Sequence, residues 1–448
     1  MPHPIRVGPR SSPLSVEGDG VFPDADAFCA RLERHPLFTA DGPIVVGRAP
    51  GRLDVLGGIA DYSGSLVVTL PLEAAALAAA QRTGDGRVVA VSGRRRVELA
   101  AEELVAPFGR LVRRFSGPDR WAAYALGPLA LLAREEDVEP SGFRLLISSS
   151  VPEGKGLGSS AAVEVASLTA VAGCSGIELE PRRLALLGQK AEQVFAGAPC
   201  GPMDQMTAAC GVAGELLLLL CRPAETVGSM PLPIPLTVWG IESGVRHDVA
   251  GNRYRRARCA AFMGKALLGF DVEYLAELHP ADVDPDRLPQ QLLGADYLRR
   301  FGGVDDPVGD VEADATYPVR AATLFPLEEQ ARVARFADLA ARPFDPERAL
   351  VLGRLMLESH EAYSRCGLGT EQTDALVREV VDAGWERGLA GARVCGGGGG
   401  GTVVVVGRED AEPVVEAIAR RHGAGLVGGS SAGAAGFGVR ALVPAPPR

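Results

Sequence analysis

Lysine is scarce in this sequence: three residues, Lys155, Lys190 and Lys265, stand among 46 basic ones. The remainder are arginines, and alongside abundant Ala and Gly this reads as a genome's composition rather than a chemical requirement. Basic charge is also outnumbered, with 46 Lys and Arg against 56 Asp and Glu and a formal charge of −10. A general nucleic-acid or anionic-membrane binder needs a basic face, so the balance argues against both. A local basic pocket for a phosphate stays open. No apolar run approaches the roughly 20 residues of a membrane-spanning helix, and the run at 216–221 fits a buried strand. The opening MPHPIRVGPRSSP lacks the apolar core of a secretory signal. The eight cysteines form no CxxC pair and no close cluster with His, which argues against a disulfide framework or a structural zinc. The expected protein is soluble and cytoplasmic, with reduced thiols.

What is present is the composition of a folded chain. Of 448 residues, 47% are hydrophobic and 23% charged, ample for a core and enough for two or three domains. Residues 1–24, rich in Pro, Gly and Ser, read as a flexible N-terminal arm. The Pro-rich stretch 223–235 divides the rest into an N-terminal domain, 25–228, and a C-terminal domain, 229–448. Strand patterns fall within 44–92, at 143–149, 216–221, 237–243, 402–407 and 437–442. Helical patterns fall at 26–34, 121–135, 181–195, 203–209, 252–268, 327–341, 347–365, 371–387 and 411–422. The Asp- and Pro-rich region 271–316 gives no clear period. The pattern is α+β in both halves, without repeats.

Glycine carries the chemistry. In VPEGKGLGSSAAVEVA (151–166), between a strand and a helix, Gly154, Gly156 and Gly158 let the backbone turn tightly and approach a ligand. Ser159 and Ser160 open the helix, where free N–H groups and the positive dipole end favour a phosphate. A Walker A loop needs Gly-Lys-Ser/Thr, and here Lys155 precedes Gly156. In GRAPGRLDVLGGIADYSGS (47–65), Arg48, Arg52, Asp54 and Asp61 interrupt an apolar stretch, so some must point inward or into a cleft. A solvated turn explains that stretch equally well. In CGGGGGGTVVVVG (395–407), six glycines run directly into an apolar strand, which suggests close backbone packing against a ligand or another segment. Glu192 lies mid-helix among apolar neighbours and, as an oxygen donor near the phosphate loop, could hold Mg²⁺. Asp204 follows a Pro-Cys-Gly-Pro turn, a rigid way to present one side chain.

These three glycine segments, in this order, resemble the three motifs of the GHMP kinases. APCGPMDQ and SGVRHDVAGNRYRRARCAAF resemble segments of the galactokinase branch. Within that branch GGIADYSGS, APCGPMDQM, IESGVRH, YPVRAATLFPL and CGLGTEQTD resemble the kinase portion of plant-type L-arabinokinases, over about residues 44–442. The resemblance implies a two-domain α+β kinase fold with the active site in the cleft between domains. It implies ATP and Mg²⁺ as cofactors, and transfer to the anomeric hydroxyl of a sugar, L-arabinose ahead of D-galactose. It makes Asp204 the catalytic base and Arg52 its catalytic neighbour beside the transferring phosphoryl group. Gly154, Gly156, Leu157, Gly158, Ser159, Ser160 and Ala161 would bind the ATP phosphates, and Ser160 and Glu192 the metal. Arg52, Gly58, Ile59, Asp61, Asp204 and Tyr254 would meet the sugar. His247, in the sugar-side segment, reads as a structural hydrogen-bonding residue.

One departure matters. Galactokinases usually read G-E-H-T-D-Y where this chain has Gly57-Gly58-Ile59-Ala60-Asp61-Tyr62, so the Glu and His are gone and the Asp stays. A non-catalytic sugar and ATP sensor on the same fold is the competing class, and retention of Arg52, Ser159, Ser160, Glu192 and Asp204 disfavours it. The implied partners are the sugar and MgATP, with neither nucleic acid nor membrane, and the subunit number is left open between monomer and dimer.

Overall fold

The structure, a computed structural model, describes residues 5–7, 16–17, 23–32, 35–39, 42–136, 138–245, 252–306, 309–428 and 439–442. His247 lies outside the described residues. Among the described residues two sheets carry the fold, and a short ribbon pairs Leu292–Leu293 with Thr316–Tyr317.

The larger sheet is built on two long strands. Ile44–Leu56 pairs antiparallel with Leu66–Thr83, and their register shifts at Pro50/Arg52 and again at Asp54/Leu56. Leu66–Thr83 then divides its partners, with residues 66–69 pairing Glu215–Leu220 and residues 76–83 pairing Gly142–Ser149. Arg87–Ser92 and Arg95–Ala100 complete one edge. Apolar helices cover one face: Ala122–Glu135, Ser159–Cys174, Pro181–Ala191 and Met203–Cys210. Ser159–Cys174 buries Ala, Val, Leu and Thr almost all round, as a helix between a sheet and other helices must.

The smaller sheet orders Leu389–Val394, Thr402–Arg408, Leu236–Glu242 and Leu426–Val427, all antiparallel. Glu371–Ala383 and Glu412–Arg421 pack on it around Trp239, Ile241, Val403 and Val405. A third core gathers Asn252–Leu268, Val319–Ala340 and the end of Pro346–Arg365.

Several expectations change. Two short strands, Ile5–Val7 and Val16–Glu17, fall inside the segment expected to be a flexible arm, and they join the larger sheet through Val439–Leu442. The expected boundary after residue 228 runs through the strand Glu225–Pro231, which pairs with Glu215–Leu220. Val439–Leu442 returns to the larger sheet beside Ile44–Gly47. The helix expected at 327–341 begins at Val319, because Pro326 sits inside it rather than ending it. Packing of Val319, Ala322, Phe325 and Leu327 into the core outweighs the lost hydrogen bond.

Candidate active site

A cavity of about 640 Å³ opens where the phosphate loop, the end of the first long strand and the 396–401 loop meet. Arg52 stands at its centre, on the strand Ile44–Leu56, 3% exposed among apolar neighbours. Its guanidinium grips Asp204 in a fork: Nε–H donates to Oδ1 at 2.9 Å and Nη2–H to Oδ2 at 2.8 Å. Nη1–H donates to the Gly156 carbonyl, and the Arg52 backbone N–H to the Leu157 carbonyl at 2.9 Å. One arginine therefore locks the acid, the strand and the phosphate loop together. Burial alone would lower the Arg52 pKa, but the Asp204 carboxylate outweighs it and the group is held above its ordinary value.

Asp204 sits in the first turn of Met203–Cys210 and keeps part of its side chain open to the cavity, 23% exposed against 4% for Arg52. The turn before it is held from two sides. Gln193 Nε2–H donates to the Cys200 carbonyl at 2.8 Å, and Arg258 Nη1–H to the Pro199 carbonyl at 2.9 Å. Arg258 is itself fixed by a bidentate pair with Asp306, at 2.7 and 2.8 Å, and by its stack over Tyr62.

In the loop, Gly154, Gly156 and Gly158 all adopt φ near +70°, the left-handed region open to glycine. The helix Ser159–Cys174 starts at the cavity, lined here by Ser159 and Ser160. A helix N-terminus beside a cation is an arrangement that favours an anion. Lys155 points elsewhere, to Glu242 at 2.7 Å.

Glu192 lines the same cavity from a wide turn, residues 192–196, that follows Pro181–Ala191. Burial, and then the charge of Asp204, push its carboxyl up to about 7, while hydrogen bonds from Ser160, Cys200 and Gln205 pull it back. Behind it the Gln205 amide donates to Glu192 Oε2 at 2.7 Å and to Glu164 Oε2 at 2.9 Å. Among the described residues no group of three or more His, Cys, Asp or Glu forms a metal cage. A buried carboxylate beside a serine hydroxyl nevertheless fits a hard divalent ion that completes its shell with phosphate and water.

Elsewhere on the cavity lining, Asp61 lies in the tight turn Gly58–Ser63 and accepts from the Tyr62 N–H at 2.7 Å. Burial, and then the Asp204 charge, raise its carboxyl to about 7. Gly58, Ile59 and Tyr254 complete that wall. Of the residues expected at the site, all line the cavity except Ala161, which is buried behind the loop, 1% exposed. Asp54 points inward, to Arg393 at 2.9 Å. Arg48 also points inward and pairs with Asp24 at the far end of the strand.

Sequence reasoning missed Arg95, Arg120, Trp121 and Tyr124, which also line the cavity, and singled out the glycine run that holds Gly396 and Gly397 without giving either residue a role. It also missed Arg393 and Gln205, although Arg393 is an arginine inside an apolar strand and Gln205 follows Asp204 directly. The six-glycine loop does pack closely: a Cβ on Gly396 would lie 3.1 Å from both Arg52 and the Gly156 carbonyl.

The family description "GHMP kinases N terminal domain" matches residues 123–212, and "GHMP kinases C terminal" matches 347–425. The chain is 36% identical to L-arabinokinase of Arabidopsis thaliana over 90% of its own length and 47% of that protein's, so it spans about half of it. It is 36% identical to galactokinase of Chloroflexus aurantiacus over 55% of this chain and 64% of that one. With galactokinase of Bos taurus the identity is 30%, covering 84% of this chain and 87% of the relative. In fold it matches the crystal structure of Lactococcus lactis galactokinase complexed with galactose, with TM-score 0.70 at 19% identity over 88% and 94% of the two chains. Homoserine kinase from Cytophaga hutchinsonii aligns with TM-score 0.54 at 16% identity, over 90% and 99%. With the Bos taurus galactokinase, 30% identical, matched over 87% of its length, and both family descriptions matched in order around one cavity, the chain belongs to the GHMP kinase family.

Proposed function

We propose that the chain is an ATP-dependent kinase that phosphorylates the anomeric hydroxyl of L-arabinose, giving L-arabinose 1-phosphate and ADP. The observation that carries the kinase reading is the Arg52–Asp204 fork, open to a cavity whose other wall is a phosphate-type loop at a helix N-terminus. The sugar hydroxyl oxygen would bond to the γ-phosphorus as the bond to the β-γ bridging oxygen breaks, and Asp204 would accept the hydroxyl proton. Arg52 would hold that carboxylate in place and face the transferring phosphoryl group. The loop N–H groups, with Ser159 and Ser160, would stabilise the charge on its oxygens. Ser160 and Glu192 would hold Mg²⁺, which supplies further neutralisation at the phosphates when bound.

The sugar follows from the wall at Gly58 and Ile59. L-Arabinopyranose has the ring stereochemistry of D-galactopyranose without the exocyclic CH₂OH. Its site needs no polar partner there, and a buried carboxylate left alone would cost about 1–3 kcal/mol. Gly58 and Ile59 offer a small position and an apolar surface, while Asp61 is retained for ring hydroxyls that both sugars share. Likeness to L-arabinokinase over 90% of the chain supports the same reading. Galactokinase is the second reading, supported by the galactokinases matched over most of their length.

A coupled ADP-release assay over a panel of pentoses and hexoses tests both. The expected result is kcat/KM for L-arabinose above that for D-galactose by about 10–200-fold, the range one missing group gives in an apolar pocket. Equal or higher kcat/KM on D-galactose rejects the pentose reading.

A further inference from the structure

The cavity wall at Gly58 and Ile59 is held from behind by three buried side chains, each gripping one backbone N–H. Gly57 N–H donates to Glu329 Oε1 at 3.2 Å, Gly58 N–H to Asp54 Oδ1 at 3.1 Å, and Ile59 N–H to the Tyr363 hydroxyl at 2.7 Å. Tyr363 comes from the helix Pro346–Arg365, is fully buried and does not line the cavity. Its hydroxyl passes its own hydrogen to the Gly396 carbonyl at 2.8 Å, so it ties the wall to the glycine loop behind Arg52. The ring is fixed by the Arg393 guanidinium, 4.8 Å from its centre, and by the edge of Phe325.

One further distance decides what this arrangement does. A Cβ built on Gly58 would lie 1.4 Å from the Tyr363 hydroxyl oxygen. The tyrosine therefore fills the volume that any side chain at 58 would enter, and it does so from outside the cavity. Gly58 also has φ of +51°, so two independent constraints keep that position bare.

We propose that Tyr363 is a specificity-determining positioning residue. By occupying the space behind Gly58 and anchoring Ile59, it sets how far the wall reaches into the cavity. That reach decides whether a sugar with or without an exocyclic hydroxymethyl group fits. The proposal rests on the sugar-kinase reading above.

The test is a two-residue cycle. Tyr363→Phe keeps the ring and its stacking but removes the hydroxyl and releases Ile59 N–H; a Cβ at 58 would still meet the ring carbon Cζ at 2.5 Å. Gly58→Ala is therefore made on the wild-type and Tyr363→Leu backgrounds, the shorter side chain clearing that ring carbon, with folding followed by circular dichroism. Tyr363→Phe should lower the ratio of kcat/KM for L-arabinose over D-galactose by about tenfold, with KM for ATP moving less than about twofold. Gly58→Ala should cost at least about tenfold more in sugar kcat/KM on the wild-type background than on Tyr363→Leu, because the tyrosine and the alanine methyl compete for one space. A folded Tyr363→Phe enzyme with an unchanged ratio, or equal Gly58→Ala losses on both backgrounds, overturns the proposal. Tyr363→Met, similar in bulk and without the hydroxyl, gives the same reading should the Phe variant not fold. If wild type prefers D-galactose, the L-arabinose reading fails, while a shifted ratio in Tyr363→Phe still supports control by Tyr363. If wild type prefers L-arabinose and the ratio does not move, only the present inference fails. Transfer to no sugar at all overturns both.

Discussion

Asp204 and Arg52 divide one task between an exposed and a buried member. The carboxylate meets the cavity, and the guanidinium, held by the Gly156 carbonyl while the Leu157 carbonyl holds the Arg52 backbone N–H, cannot follow a ligand out. Asp204→Asn keeps the size and part of the fork but removes the proton acceptor. We expect kcat to fall about 10²–10⁴-fold with KM for ATP little changed. Near wild-type turnover from a folded variant would reject Asp204 as the base. Asp61 offers a different readout. Its carboxyl is raised to about 7 in the fold, against about 3.9 in an unfolded chain. The folded state thus binds a proton that the unfolded state has released, and stability is lost as pH rises from about 4 to about 7. Asp61→Asn should raise the Tm of the ligand-free protein more at pH 8 than at pH 5, and an equal gain at both pH values would refute the shift. These residues were legible because charge inside an apolar strand, or glycine at every second position before a helix, is costly without a purpose. Tyr363 and Gln205 were not, because their meaning depends on partners brought near only by folding, such as Gly58 in the case of Tyr363.

At the scale of elements, the strand, loop and helix around 142–174 could be read from sequence because each switch of period is marked by glycine. The helix Val319–Ala340 was misread at its start because Pro326 is a strong local signal, and burial of the flanking residues is a stronger one that sequence does not display. Region 271–316 stayed opaque for a similar reason. Its three single-turn helices at 275–277, 280–282 and 285–287 are too short to set a period; each is capped at its start, and only the first buries residues, Leu275 and Ala276. The helix Ser159–Cys174 and the turn 192–196 bring Ser160 and Glu192 to one corner of the cavity. Ser160→Ala and Glu192→Gln should each raise the Mg²⁺ concentration needed for half-maximal rate, and each should weaken Mn²⁺ binding measured by electron paramagnetic resonance in the presence of ADP. Unchanged metal binding in both variants would move the metal elsewhere and leave Glu192 a structural residue.

Across the whole molecule, the two sheets are joined through buried polar groups as well as apolar contact. Arg393, on the smaller sheet, pairs with Asp54 on the larger one, and both are fully buried. Thr402 donates to the Lys155 carbonyl at 2.9 Å, and Lys155 pairs with Glu242. Removing one member of a buried pair strands the other, so Arg393→Met should destabilise the fold by about 3–5 kcal/mol in urea titration. A loss below about 1 kcal/mol would show that Asp54 finds another partner or a proton.

The strand Val439–Leu442, which sits between Ile5–Val7 and Ile44–Gly47 in the larger sheet, has a consequence for synthesis. The ribosome delivers a chain from its N-terminus at about 5–20 residues per second, so Ile44–Gly47 waits about 20–80 s for its partner. During that interval an apolar backbone edge stands open, a template for pairing with a neighbouring nascent chain. Crowding on a polysome would make this the period of greatest exposure to misassembly. Deleting residues 439–442 would make that temporary state permanent, and the expected outcome is more aggregation in light scattering during refolding, with Glu215–Leu220 and its helices still protected in hydrogen exchange.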